Sequence, residues 1–373
     1  MPHPRSLELQ ILFFGLTISS SWGNGHATPY RALVRALSEM GVEVVFYERD
    51  VPYYAKHRDF DSCDDCELIL YKDWDTIRRG ALQRAQASDV VVTASYLSEG
   101  ARISEELLDT ERPLHVFYDL DTPITLNRMQ SQGIEYLRPG LIPQFDLYLS
   151  FTGGNILRTL ERGFGARLAL PLYGCVDSDL YVRTTCQQRF ACDLSFMGTY
   201  APDRADCIRE LFLAAAERTP SQNFLLAGSM YPAEWMWPPN VERIEHVAPS
   251  DHPALYSSSR ATLNVTRSQM AQSGYCPSGR FFEATACGTP LLTDDWPGLG
   301  SFFNIGQEVL VVRTADDVVQ ALQLPDADLA RIAARARERT LEEHTGRQRA
   351  KQFLGACEEA RQSKSAIAET SSC

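Results

Sequence analysis

A chain of 373 residues, 44% hydrophobic and 23% charged, has enough apolar content for two globular domains of ordinary size. Its net charge of −12 argues against nucleic acid or an anionic membrane as the main partner, since both attract clustered basic residues. No run approaches the ~20 apolar residues of a membrane-spanning helix, and the ten cysteines follow no disulfide framework.

Ile11–Leu16 follows Arg5 and invites a signal-peptide reading. The run is short, and no A-x-A cleavage site follows it. A buried first strand over Leu9–Gly15 and a cytoplasmic location are the expectation. Thr17–Ala27 is then a polar, glycine-bearing loop. Thr28 caps a helix with Pro29 in its first turn and Leu33, Val34, Leu37 and Met40 on one face. Gly41 stops it, and Val42–Tyr47 completes a βαβ unit with parallel strands. Gly23-x-Gly25 is a weak match to a dinucleotide fingerprint, because Thr28 stands where the third glycine belongs; Glu48 or Asp50 would be its ribose ligand. His26 ends the loop. It suits a general base or phosphate contact, or else a purely structural helix start. Cys63-Asp64-Asp65-Cys66 lacks a second metal-binding pair and reads as a polar loop; the other cysteines read as buried reduced thiols.

Further strands are predicted at Leu68–Tyr71, Val90–Ala94, Leu114–Tyr118, Phe145–Phe151 and Arg167–Leu170, and helices at Trp74–Ala87, around Ile103–Leu108 and at Asn155–Arg162, closed by Gly163. This alternation implies a doubly wound parallel sheet, whose ligands bind beyond the carboxyl ends of the strands. Asp119-Leu120-Asp121-Thr122-Pro123 sits at one such end. Asp119 and Asp121, two carboxylates at i, i+2 just past a strand, could point into a cleft as base or acceptor-hydroxyl ligand; the alternative is that Asp121 or Thr122 caps the next helix. Ser95–Glu99 and Phe151–Asn155 end neighbouring strands. The pattern restarts after a boundary between Val176 and Cys192: a strand at Asp193–Met197, Gly198, a helix from Asp203 onward, strands at Asn223–Ala227 and Val241–His246, a short helix at Pro253–Ser258 and a strand at Ala261–Val265. A strand at Glu308–Val312 and helices at Thr314–Leu322, Leu329–Leu341 and Gly346–Arg361 follow. Residues 363–373 read as a disordered polar tail.

Gly274–Trp296 is the most informative stretch. It reads as a loop, a helix over Gly279–Cys287 capped by Ser278 and closed by Gly288, and a buried strand. A helix start offers unpaired amides to a phosphate. Arg280 in the first turn opposes the helix dipole unless an anion is present, and Glu283 one turn on can accept hydrogen bonds from ribose hydroxyls. The plainer alternative is a solvated Arg280–Glu283 pair.

Phe282-Glu283-Ala284-Thr285-Ala286-Cys287-Gly288-Thr289-Pro290 resembles the E-A-x-A-C-G-x-P signature of GT-B glycosyltransferases, in the family 1/4-like branch, and Gly274–Gly298 resembles its spore-maturation CgeB-like members. The resemblance implies an α/β GT-B protein: two Rossmann-like, doubly wound parallel-sheet domains facing across a cleft. Residues 1–180 would bind the acceptor, 181–345 the nucleotide sugar, and the helix 346–362 would cross back to the first domain. By resemblance Glu283 binds ribose, while Ser278, Gly279 and Arg280 hold the diphosphate. Gly198 with Arg204 adds a second diphosphate contact, Arg267 a third cation, and the base lies against backbone at Val247. Gly25 and His26 close over the donor, and Gly274 and Tyr275 lead into its site. Related transferases often carry a glutamate near the donor sugar at the position of Tyr275, which is a departure here. The implied reaction moves a sugar from a nucleotide-diphosphate sugar, with a UDP-sugar the expected donor, to an acceptor hydroxyl or amine, without metal or further cofactor. His26 or Asp121 is the base if the enzyme inverts; if it retains, neither is needed. A GT-B-shaped epimerase or a non-catalytic nucleotide-sugar-binding protein are the rival readings.

Overall fold

The computed structural model describes residues 9–60 and 64–371. The chain divides into two compact units, Met1–Tyr173 with Gly346–Cys373, and Gly174–Thr345.

The first unit is built on a seven-stranded sheet of β1 (Gln10–Gly15), β2 (Glu43–Arg49), β3 (Glu67–Tyr71), β4 (Val90–Ala94), β5 (Leu114–Asp119), β6 (Leu147–Ser150) and β7 (Ala169–Pro171). All its pairings are parallel, in the order β3-β2-β1-β4-β5-β6-β7. Parallel strands are covered on both faces, which is why β1 and β4 are near-continuous apolar runs. Ile11 through Phe14 are at most 1% exposed. The helices are α1 (Ala27–Glu39), α2 (Pro52–Ala55), α3 (Trp74–Ala87), α4 (Gly100–Leu108), α5 (Thr122–Ser131) and α6 (Asn155–Phe164). Strand order reverses between β1 and β4, and a ligand crevice opens at such a switch point.

The second unit repeats the plan with six strands: β8 (Cys192–Met197), β9 (Phe224–Ala227), β10 (Val241–Ile244), β11 (Ser259–Asn264), β12 (Leu291–Thr293) and β13 (Leu310–Val311). They are again all parallel, in the order β10-β9-β8-β11-β12-β13, with the reversal between β8 and β11. Its helices are α7 (Ala205–Ile208), α8 (Ala214–Arg218), α9 (His252–Ser258), α10 (Ser268–Ser273), α11 (Gly279–Ala286), α12 (Ala315–Leu322) and α13 (Asp326–Glu343). The last helix, α14 (Gly346–Ser371), belongs to the first unit. There it packs on α1, with Phe353 5.9 Å from the Phe13 ring.

Several expectations change. His26, not Thr28, occupies the N-cap of α1, and Asn24 Oδ1 accepts its amide at 2.8 Å. α6 runs past Gly163 and closes at left-handed Gly165 (φ +74°). The single helix expected after Gly198 is a 3₁₀ turn (Pro202–Arg204), α7, a π-helical turn (Arg209–Leu213) and α8. α10 is not among the predicted elements, since six residues are too few for a periodic signal. The expected tail is helical in its backbone through Ser371, and Lys364 pairs with buried Asp146 at 2.9 Å. Cys63 lies outside the described residues, and Cys66 is disulfide-bonded rather than a member of an inert polar loop. Cys186 is exposed rather than buried. Among the described residues no helix is long and apolar enough to cross a membrane.

Gly346 sets how α14 meets α1, since a Cβ there would lie 2.4 Å from the Ala32 carbonyl oxygen. Backbone cannot yield as a flexible side chain does, so Gly346→Ala should cost ~1–3 kcal/mol. A thermal melt should show a transition several degrees lower; an unchanged melt would show that α14 is not seated by this contact.

Candidate functional site

In the second unit, two elements meet at the β8/β11 reversal. β8 ends in Gly198, and the chain turns to Arg204; β11 leads through Arg267 to the start of α11. A Cβ on Gly198 would lie 2.9 Å from Arg204 Nη2 and 3.2 Å from Arg280 Nη1. The two guanidinium groups therefore converge on bare backbone. A second glycine makes the turn possible: a Cβ on Gly228 would overlap the Gly198 carbonyl at 2.1 Å. The Tyr231 hydroxyl donates to that carbonyl at 2.9 Å.

Arg204 is 6% exposed, donates to Thr199 O, and leaves its buried Nε without a partner. Burial first, and Arg280 second, bring its pKa down to about 10. Arg267 is neutralised by Asp203 at 3.1 Å. Among the described residues neither Arg204 nor Arg280 has a carboxylate within ion-pair distance. A buried cation with a second, half-buried cation beside it costs free energy that an anion between them removes. The amides at the start of α11 add to the same field.

Glu283 lies beside this charge and is 5% exposed, so the solvated-pair alternative does not hold. The Tyr256 hydroxyl is 3.5 Å from Oε2 and His252 Nδ1 is 3.8 Å from it. Burial raises the Glu283 carboxyl to about 7 against the opposing pull of Arg280. His252 is pushed by burial down to about 4 and stays neutral. Its Nε2 lies 3.2 Å from the Val247 carbonyl, so that nitrogen carries the proton, and its Nδ1 lies 3.1 Å from the Tyr181 hydroxyl. Val247, His252, Tyr181 and Glu283 are thus one connected group. Ser278 sits at the N-cap of α11 but does not cap it; its hydroxyl donates to Asn264 Oδ1 at 2.7 Å. Gly279 stands next to the carboxylate, where a Cβ would be 3.7 Å from Glu283 Oε1. Gly274 and Tyr275 both have positive φ (+68° and +49°). Tyr275 donates its amide to Pro297 O at 2.7 Å and lays its ring on Gly298, where a Cβ would lie 2.5 Å from it.

In the first unit, the loops after β1, β4 and β5 converge at the β1/β4 reversal. His26 Nε2 is 3.6 Å from Asp121 Oδ2, and the Tyr96 hydroxyl donates to that oxygen at 2.8 Å. His26 Nδ1 is buried without a partner. Burial first, and Asp121 second, raise the Tyr96 hydroxyl well above its usual range, so it remains a donor. Asp121 occupies the N-cap of α5, yet its side chain makes no cap bond. The other member of the pair is structural. Asp119 is buried and accepts from Tyr148 at 2.7 Å, Thr125 at 2.9 Å and the Asp121 amide at 3.1 Å. Gly25 is exposed, with open space around it. Glu48 is not free for a ribose: it is buried and accepts from Ile18 N, Ser19 N and the Ser19 hydroxyl. Asp50 is paired with Arg58 at 2.8 Å.

Tyr96, Tyr181, His252 and Tyr256 were not singled out from the sequence. Only Tyr96 left a trace there, as part of the strand-end segment Ser95–Glu99; the others become partners through distant packing.

Residues 204–355 match the family model described as glycosyl transferase-like. Among curated protein sequences, none matches the chain. Sucrose-phosphate synthase from Thermosynechococcus elongatus superposes with a TM-score of 0.68 at 14% identity, covering 96% of this chain and 100% of that one. HepE from Anabaena, in complex with UDP and glucose, gives 0.66 at 13% identity over 94% and 100%. An alpha-glucosyltransferase in complex with UDP-glucose and DNA containing an abasic site gives 0.68 at 12% over 94% and 99%. At such identities these likenesses show the fold, which is GT-B: two Rossmann-like parallel-sheet α/β domains of seven and six strands.

The raised Glu283 pKa has a definite sign. The folded state holds that proton more tightly than the unfolded chain between pH about 4.5 and about 7, so this group's contribution to stability falls as pH rises through that window. His252, depressed from 6.5 to about 4, has the opposite slope between those values. Glu283→Gln removes only the falling component. The variant should gain on wild type by up to ~1.4 kcal/mol per pH unit across the window and stay level above it. Paired melts from pH 4.5 to 8 test this; parallel curves would place the carboxyl in water.

Proposed function

We propose that the protein is a metal-independent GT-B glycosyltransferase of the CgeB-like branch, moving a sugar from a UDP-sugar to an acceptor hydroxyl or amine. One observation carries this reading: the Arg204 and Arg280 guanidiniums meet at Gly198 with no carboxylate partner, next to buried Glu283. A pyrophosphate supplies the missing negative charge, and its ribose reaches Glu283. The match over residues 204–355 and the UDP named with HepE and the alpha-glucosyltransferase support the choice of donor.

In this reaction the acceptor oxygen bonds to the anomeric carbon as the bond from that carbon to the diphosphate oxygen breaks. The electron pair leaves with UDP. Arg204, Arg280 and the first amides of α11 are already aimed at the charge that develops there, so little reorganisation is needed. Arg267 is held near by Asp203, Gly274 and Tyr275 shape the loop before α11, and the base lies against Val247. Asp121, itself held by Tyr96, lies 3.6 Å from His26 Nε2 and stabilises the positive charge the ring gains when His26 takes the acceptor's proton. Gly25 gives the loop in front of His26 room to admit a ligand.

Arg280→Ala tests the donor site. It removes a repulsion in the free protein, so the unliganded melt should stay level or rise. The stabilisation by saturating UDP, several kcal/mol for a ligand at 100–1,000 times its Kd, should disappear. A UDP shift equal to wild type would end the diphosphate assignment. His26→Ala tests the base: kcat should fall ~100-fold or more, with the Kd for UDP little changed. Unaltered turnover would leave the departing phosphate to take the proton and remove His26 from the reaction.

A further inference from the structure

The segment between β9 and β10 carries Tyr231, Trp235 and Trp237 in close succession, and the reaction above leaves all three unused. Their rings meet those around them largely edge to face. Tyr231 lies 5.6 Å from Trp235 and 5.7 Å from Trp237. Tyr200, from the turn after β8, lies 5.6 Å from Tyr231 and 5.7 Å from Trp235. Two arginines back the indoles: Arg209 sits 4.5 Å over the Trp235 ring and Arg243 4.7 Å over that of Trp237. The neighbouring rings, themselves backed by guanidiniums, fix where the Tyr231 ring stands. The backbone leading into it is strained. Met230 adopts a left-handed φ of +67°, although its side chain is 76% exposed. Such a conformation at a long side chain costs free energy and persists where the surroundings impose it. Here it leaves Met230 in solvent and turns Tyr231 inward, where it is half-buried.

What this scaffold holds is one hydroxyl on one peptide. Tyr231 donates to Gly198 O at 2.9 Å. Burial pushes that hydroxyl up to about 12, against the opposing pull of Arg204 and Arg280, so it keeps its proton and lies within the field of both guanidiniums. Gly198 O and the Thr199 N–H belong to the same trans peptide and point to opposite sides of it. The groups around that N–H are spent. Gly198 N donates to Ala227 O at 2.8 Å, Tyr200 N donates to Ser229 O at 2.9 Å, and Arg204 donates to Thr199 O. Of the backbone groups of Gly198 and Thr199, the Thr199 N–H alone has no partner among the described residues. Both carbonyls of the turn are thus covered by donors, and its uncommitted group is an N–H close to two guanidiniums that lack carboxylates. A free amide beside unpaired cations is a seat for an anionic oxygen.

We propose that Tyr231 is a positioning residue for the diphosphate: by holding Gly198 O it keeps the Thr199 N–H turned to a phosphate oxygen that Arg204 and Arg280 also bind. This rests on the donor reading above, and adds to that site a backbone ligand and the side chain that supports it.

The test compares the full-length wild type with Tyr231→Phe, which keeps the ring and its packing and removes only the hydroxyl. Calorimetry reads the binding of UDP and of pyrophosphate alone, and NMR of isotope-labelled protein reads the Thr199 amide. Tyr231→Phe should weaken UDP and pyrophosphate by the same factor, about tenfold, the size of one lost bond to a charged oxygen. An equal factor places the loss at the diphosphate, where general damage to the site would weaken UDP more than pyrophosphate. The Thr199 amide proton should move downfield when wild type binds pyrophosphate, and much less in the variant. The positioning role is overturned if Tyr231→Phe binds UDP as tightly as wild type, or if it weakens UDP but not pyrophosphate. It is also overturned if wild type binds UDP but no pyrophosphate, or if the Thr199 amide responds equally in both proteins or in neither. Wild type that binds pyrophosphate but not UDP, with the same loss in the variant, upholds the role of Tyr231 and strikes the nucleotide reading instead. Wild type that binds neither ligand strikes both.

Discussion

Two arginines converging on one glycine are an expensive arrangement. Arg204 is taken out of water by the packing of its own turn and over Phe196, and Arg280 sits on the one end of α11 where the backbone dipole repels a cation. Their approach is possible only because Gly198 and Gly228 carry no side chains. The unit relieves the repulsion only in part: Glu283 attracts Arg280 from a distance but is turned toward Tyr256 and His252, and Asp203 is paired with Arg267. A folded protein retains such a conflict where a ligand resolves it. The sheet topology, the two glycines and the short helix all serve to place that unresolved positive charge.

Beside it, polarity is distributed with economy. His252 spends one ring nitrogen on the Val247 carbonyl and the other on Tyr181, so it contributes geometry without charge. Glu283 is kept partly protonated by burial, with Arg280 pulling the other way. The first unit shows the same division of labour between two aspartates. Asp119 is enclosed by three donors and shapes the turn, while Asp121 keeps its carboxylate for His26 and Tyr96.

Much of this was legible in the residues. Near-continuous apolar strands alternating with amphipathic helices identified two parallel α/β sheets, because that pattern buries both faces of a sheet and few other plans do. The turn glycine at Gly288 and the short helix before it were readable from local propensity. Capping was less readable. Ser278 and Asp121 hold N-cap positions as their types suggest, but their side chains are claimed by partners far off in sequence, Asn264 for one and Tyr96 for the other. Local rules cannot anticipate such competition.

The sequence alone determined the class of fold, the order of its strands and helices and the likeness of Phe282–Pro290 to a nucleotide-sugar signature, since these depend on periodicity and on residues close together in the chain. Tertiary structure decided which polar groups are spent and which are free. It tied the strand residues Glu48 and Asp119 to neighbouring amides and hydroxyls, brought His252 and Tyr181 to Glu283 from separate segments, and drew Arg204 and Arg280 together at Gly198. Those outcomes depend on burial and on distances between residues far apart in sequence, and both exist only once the sheets have closed.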